Sequence, residues 1–196
     1  MEGTDPVNKK LLAALSGGAA LVLALTGCGG GGEDKGKKLD DWAKKVCDTM
    51  QPQVKKIQQA NASITSVRTE EDSKKVQRTD SAAFQANVDA YNALAQSVQN
   101  AGAPPVDDGK ANQEDAVKAL KDLSASYKNL KTKVDALDTS DRAKFSEGLK
   151  NMAADLGQLS GKSGDALKKF QSGDAGQAMA KQESCKIPAS MPPAQV

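Results

Sequence analysis

The sequence predicts an all-α protein: an antiparallel four-helix bundle with a short fifth helix at the carboxyl end. Three observations predict it. Apolar residues return at steps of three and four in four successive stretches, which is the spacing of one helix face. Strand signals are missing, because β-branched and aromatic residues are sparse and no stretch alternates apolar with polar for long. The breaks between stretches carry proline, glycine or a capping acid, as helix ends do.

The first stretch runs through Leu39, Trp42, Val46, Met50, Val54 and Ile57. Pro52 interrupts it and is expected to kink the helix or mark a junction, because it removes one backbone donor and crowds the preceding turn. Residues 62–79 are polar and carry no clear period. Within them Thr69-Glu70-Glu71-Asp72 reads as a helix start, with Thr69 capping and three acids at the positive end of the dipole. The second stretch, Phe84, Val88, Tyr91, Leu94, Ala95 and Val98, ends at Gly102-Ala103-Pro104-Pro105, where two prolines stop the helix.

The third is the most regular: Val117, Leu120, Leu123, Tyr127, Leu130, Val134 and Leu137, started by Asp107-Asp108. Asp138-Thr139-Ser140-Asp141 is short enough to make the third and fourth helices antiparallel neighbours and supplies a cap for the fourth. That helix shows Phe145, Leu149, Met152, Leu156, Leu159, Ser163, Leu167 and Phe170. Gly148, Gly157, Gly161 and Gly164 weaken it by up to about 1 kcal/mol each relative to alanine. Close packing or a break near Gly161 is the expected compensation. A last short helix starts at Asp174, with Gln177 as a capping-box partner, and stops near Cys185 ahead of Pro188. Beyond Lys186, residues 187–196 read as a disordered tail.

The amino-terminal end has a different character. Asn8-Lys9-Lys10 is followed by an apolar run over residues 11–26 that closes on Leu25-Thr26-Gly27-Cys28. A basic flank, an apolar core and small residues beside a cut are the three regions of a secretory signal in order. The run is short and interrupted at Gly17 and Gly18, where a stable span wants roughly 20 apolar residues. It therefore reads as a segment to be removed.

Residues 7–28 resemble the prolipoprotein signals of bacterial lipoproteins, in which small residues before the cut suit a membrane peptidase and a cysteine thiol takes a diacylglycerol. The resemblance implies a signal peptide at 1–27, cleavage before Cys28, a thioether-linked diacylglycerol on Cys28 as the lipid-attachment site, and room for an acyl chain on the new amino terminus. Glu2 and Asp5 put acid where such signals are basic, and Val7 directly precedes the basic flank. The start expected on that ground is Val7, read from a GTG codon, with Met1 the alternative; the intact mass of the precursor separates them.

Four glycines, 29–32, and the charged Glu33-Asp34-Lys35-Gly36-Lys37-Lys38 follow Cys28 without one apolar residue. Such a stretch buries too little to offset its ordering entropy, so 28–38 reads as a flexible tether. The bundle domain is expected over 39–186, and the mature chain of about 169 residues suits a single core.

With Cys28 taken by lipid, Cys47 and Cys185 remain as a pair in an exported, oxidising setting, where a disulfide is the expected state. Bridged, they close a loop of about 139 residues, for which chain entropy gives about 5 kcal/mol before strain. Two free thiols or a metal site are the alternatives, and two cysteines without any histidine fall short of a structural zinc set. In an up-down-up-down order the fourth helix finishes where the first begins, which brings Cys185 to Cys47.

Composition excludes much chemistry. The chain has no histidine, so imidazole-dependent triads, histidine bases and histidine-ligated metals are out. Net charge is +2 from 27 basic and 25 acidic residues, interspersed, with no basic stripe for nucleic acid. Ser160-Gly161-Lys162-Ser163 has Leu156 where a phosphate-binding loop needs glycine. Asn61-Ala62-Ser63 is formally a sequon, but the signal is of bacterial type. Glu70-Glu71-Asp72 and Asp107-Asp108 lack the ligand spacing of a calcium loop and are accounted for as helix starts. The six aromatics, Trp42, Phe84, Tyr91, Tyr127, Phe145 and Phe170, all fall on apolar stripes and read as core. Trp42, close to the tether and the disulfide, is the one of most interest. No catalytic residue, metal or cofactor is expected.

Lipobox, glycine linker, Trp42 with Cys47 in the first helix, the Ala103-Pro104-Pro105-Val106 connector and Cys185 near the end together resemble the small secreted lipoproteins of high-GC Gram-positive (actinobacterial) bacteria. This resemblance implies a monoderm cell surface; with an outer membrane, Gly29 in place of aspartate would leave sorting open. The function expected is a non-enzymatic interaction module, lipid-anchored at the outer face of the cytoplasmic membrane, monomeric, with a protein or cell-envelope partner and no nucleic acid. The alternative is a carrier or receptor for a small or lipidic ligand between the helices, which an alanine-rich, closely packed core disfavours.

Overall fold

The computed structural model describes residues 30–186, and among them every regular element is helical. In chain order these are α1 (Gly30–Ser66), α2 (Ser73–Ala101), α3 (Gly109–Asp135), α4 (Arg142–Ser172), α5 (Asp174–Lys181) and a closing 3₁₀ turn (Glu183–Cys185). The signal-peptide, Cys28 and tail expectations lie outside these residues.

In α1, residues 30–38 depart from the tether expectation, and of the two outcomes expected at Pro52 the junction does not occur. Residues 30–38, read as tether, form its first turns; residues 34–38 are exposed, space around Gly36 is open, and Lys38 pairs with Asp34 across one turn at 3.2 Å. These turns continue a helix whose packing begins at Leu39 and Trp42, so extending it costs only the residues added and no new nucleus. Pro52 sits inside α1 without ending it. The missing proline N–H strands the carbonyl of Asp48, four residues back, on an exposed turn where water can satisfy it. Burial of Val46 and Cys47 before the proline and Ala60 after it holds the helix together.

The turn after α1 buries Val67 and reaches α2 at Asp72, not Thr69. The Asp72 carboxylate accepts from the backbone N–H of Lys74 and Lys75 at 2.9 and 3.2 Å, while the Glu70 carboxylate accepts from those of Glu71 and Asp72. α2 ends where the prolines require, at Gly102, whose φ of 82° is open to glycine and strained for other residues. α3 starts after Asp108 as expected, yet that side chain makes no cap bond; Asp108 is left-handed at φ 56°. Gly109 follows because a Cβ there would meet the Pro104 carbonyl oxygen at 2.1 Å.

Asp141 caps α4 through the N–H groups of Ala143 and Lys144, both at 3.1 Å. α4 runs unbroken past Gly161, and at Gly148 the close approach is visible: a Cβ would meet Leu137 Cδ2 at 2.4 Å. α5 begins at Asp174 with Gly173 as its cap residue and no side-chain cap bond, so the expected Asp174–Gln177 box does not form. We expect Asp141→Ala and Asp72→Ala each to lower unfolding free energy by about 1 kcal/mol, and Thr69→Ala to change it far less, in denaturant titrations.

Consecutive helices pack on one another, α1 on α2, α2 on α3 and α3 on α4, while α5 packs against both α1 and α4. At one end Trp42, Ala43, Val46 and Cys47 of α1 meet Leu94, Ala95 and Val98 of α2, Ala116 and Leu120 of α3, and Ala175, Ala178 and Met179 of α5. The early residues of α1 thus face the late residues of α2. At the other end Phe84 joins Leu130, Val134 and Met152, and Val67 joins Val76 and Phe145. Met152 in the first half of α4 packs with Val134 near the end of α3. Cys47 and Cys185 stand at disulfide distance, S–S 1.98 Å and Cα–Cα 5.0 Å.

Candidate functional site

Sequence reasoning singled out Cys28, Cys47, Cys185 and Trp42. Cys28 lies outside the described residues; the other three converge on one end of the molecule. Trp42 is buried and its indole Nε1 donates to the Gly102 carbonyl at 2.9 Å, tying the first packed turn of α1 to the end of α2. Cys47 is fully enclosed beneath α5, and Cys185 is half-buried. Beside the bridge the Ser184 hydroxyl donates to Asp48 Oδ1 at 2.6 Å, and Lys44 pairs with the other Asp48 oxygen at 2.6 Å. Those two bonds, Lys44 first, hold the Asp48 carboxyl below its ordinary range. This end is a structural clamp, in which the Asn112 Oδ1 at the start of α3 is buried without a partner.

The opposite end carries the two turns, 67–72 and 136–141, joined by an Arg142–Glu71 ion pair at 3.4 Å. Below it an open groove of about 390 Å³ lies between α2 and α3, lined by Gln77, Arg78, Ser81 and Gln85 on one side and Lys131 and Asp135 on the other. The Gln77 amide donates to the carbonyls of Val134 and Leu137 at 2.9 Å, closing the end of α3 that had no helical partners. Gln113 does the same for Val98 at the end of α2. The Lys131 ammonium at 2.6 Å, and after it the Ser81 hydroxyl, lower the Asp135 pKa. A carboxylate so held is a weak base, and the groove offers hydrogen bonds and charge for recognition.

The sequence reading missed a row of polar side chains in the core. Asp80 is 6 % exposed, Asn87 is sealed and Ser124 is 4 % exposed. Ser124 donates to the Val88 carbonyl at 3.0 Å, and Asn87 Nδ2 donates to Asn61 Oδ1 at 3.4 Å, but Asn87 Oδ1 and Asp80 Oδ1 have no partner. Burial raises the Asp80 carboxyl to about 6. The signal for these residues was present: positions 80, 87 and 94 are one heptad apart, in register with the stripe of Phe84, Val88 and Leu94. Polar residues on an apolar stripe mark a site that tolerates an orphan at a cost.

The aromatics behave as core. Phe84 and Phe145 are buried, and Tyr91 and Tyr127 stack at 5.4 Å with 15° between planes. Burial raises the Tyr91 hydroxyl pKa, the neighbouring Tyr127 adding to it; burial also raises that of Tyr127. The side chain of Phe170 lies outside the described residues, as do those of 160–163. Among the described residues no three cysteine, histidine or acidic side chains form a metal-binding group, and no helix is long and apolar enough to cross a membrane. No family model matches the chain, and no curated protein or solved structure is significantly similar to it.

Proposed function

We propose that this chain is an extracytoplasmic lipoprotein, anchored through Cys28 to the outer face of the cytoplasmic membrane, that presents a helical interaction module to a protein or cell-envelope partner. The observation that carries the reading is Leu25-Thr26-Gly27-Cys28 at the end of an apolar run behind two lysines. Four long helices in an antiparallel bundle, with α5 folded back on α1, are the architecture that goes with it; the approach of Cys185 to Cys47 and the opposed ends of α1 and α2 support that order.

The length of α1 supports an orientation for such a module. α1 begins two residues after Cys28, and at about 1.5 Å per residue its exposed turns stand the packed domain roughly 14 Å from the lipid. The disulfide end then faces the membrane. The turns at 67–72 and 136–141 and the adjoining groove lie roughly 40 Å further out, at the end that meets a partner first. An open groove over a core of small side chains suits a partner surface better than an enclosed ligand, which is why the module is preferred to a carrier.

The test is metabolic labelling with a clickable fatty acid in cells. Label is expected on the wild-type chain and absent from Cys28→Ser; label surviving that change overturns the anchor. Native mass spectrometry of the labelled, detergent-solubilised chain then tests the module. A co-purifying small molecule of fixed mass would replace the interaction reading with the carrier.

A further inference from the structure

Asp80 lies one turn from Val76 and one turn from Phe84 on the buried face of α2. Val76 packs with Val67 from the turn after α1 and Phe145 from α4, and Phe84 packs with Leu130, Val134 and Met152. The carboxyl therefore sits between the two apolar clusters that join the turns to α2. Its Oδ1 is buried without a hydrogen-bond partner, and among the described residues no ion pair reaches the carboxyl. Arg68 lies in the turn that follows α1, and burial is the cause that raises the Asp80 carboxyl.

The other charged groups nearby point outward. On α3 these are Lys131, paired with Asp135, and Lys133, paired with Asp155 of α4. On α4 they are Arg142, paired with Glu71, Lys144, paired with Asp141, and exposed Glu147; on α2 itself, exposed Arg78. Among the described residues no cation is paired with Asp80.

We propose that Asp80 makes the turn-bearing end of the domain an acid-tightened joint. With its proton on, the neutral carboxyl is tolerated between the apolar clusters, and the α1–α2 turn and the start of α4 close on α2. When the O–H ionises and the proton passes to bulk water, the unpaired charge draws water in, and the same two segments open more often. Its titration near 6, set by burial, puts the change within reach of ordinary variation outside a cell.

Hydrogen exchange on the full chain in detergent micelles tests this, at pH 5 and pH 7.5 with intrinsic rates divided out. Peptides covering 62–76 and 140–150 are expected to open about tenfold more at pH 7.5, the ratio a shift of this size produces over that interval. Amides at 40–47 and 94–100 that exchange by local opening are expected to stay level, while those that exchange only by global unfolding follow the whole molecule. Asp80→Asn removes the pH difference, and Asp89→Asn, an exposed acid on the same helix, leaves it intact. Equal change among the locally opening amides of both ends, no change, or a difference that persists in Asp80→Asn overturns the proposal.

Discussion

Replacing Cys47 and Cys185 by alanine is expected to lower the unfolding free energy by about 5 kcal/mol, because the bridge closes most of the chain into one loop and takes that freedom from the unfolded state. The sequence separation is 138. Against a typical domain stability of about 5 to 15 kcal/mol this is a third or more of the whole. The loss has a local face too. α5 has eight residues, too few to persist as an isolated helix, and it covers Cys47 with Ala175, Ala178 and Met179. Freed from the bridge, it should lift from α1 and wet Trp42, the single tryptophan of the chain. Denaturant unfolding of the full chain, oxidised, reduced and doubly substituted, measures the first effect, and a red shift of Trp42 emission reports the second. A substituted chain within about 1 kcal/mol of the oxidised one would remove the bridge from its place as the main clamp.

That clamp shows how far pattern reaches. The four apolar stripes announced α1 to α4, because a helix face that must be buried repeats by threes and fours regardless of its neighbours. Gly102 with Pro104 and Pro105, and Asp141 before Arg142, marked helix ends through purely local chemistry, and those ends are where the chain breaks. Local chemistry was a poor guide where packing decides. Pro52 carries a large local cost, yet Val46 and Cys47 on one side and Val54 and Ile57 on the other pack into the cluster formed with α2 and α5, so the helix bridges it. Thr69 and Asp72 are equally good caps on paper. Val76 must face Val67 and Phe145, and that tertiary demand selects Asp72. The charged residues 34–38 bury nothing and looked like tether, but they prolong a helix already nucleated below them.

The site was legible at one end only. Cysteine counting brought Cys47 and Cys185 together, since a covalent pair leaves few choices in a chain with three cysteines. The groove at the far end depends on which exposed residues of α2 and α3 align across the antiparallel pair. Gln77 reaching the Val134 carbonyl fixes that alignment, and no one-dimensional pattern contains it. Asp80 was overlooked for another reason: an acid between Thr79 and Ser81 reads as surface unless its heptad register with Asn87 and Leu94 is counted.

Asp80→Asn is accordingly expected to stabilise the protein at neutral pH, an unusual direction for a core substitution. The folded carboxyl titrates near 6 against an ordinary value of 3.8. A raised carboxyl means that the folded state holds the proton more tightly, so stability is highest below the ordinary value, falls as pH rises from about 4 to about 6, and is level above that. Two units correspond to about 3 kcal/mol, an upper figure because only Oδ1 is fully shielded and solvent at the other oxygen screens the charge. Asp48, Glu70, Asp135 and Asp138 act oppositely: each carboxyl is lowered by its hydrogen bonds, so its contribution is present above its ordinary value and disappears in stronger acid. The wild-type chain should therefore be most stable at mildly acidic pH and decline on both sides. In Asp80→Asn the decline towards neutral pH should flatten, with a gain of up to about 3 kcal/mol at pH 7.5 and little change at pH 4. Guanidinium titrations of both chains across that range decide it. Parallel curves for the two would mean that the carboxylate is solvated after all, and that the polar row in the core carries no stored cost.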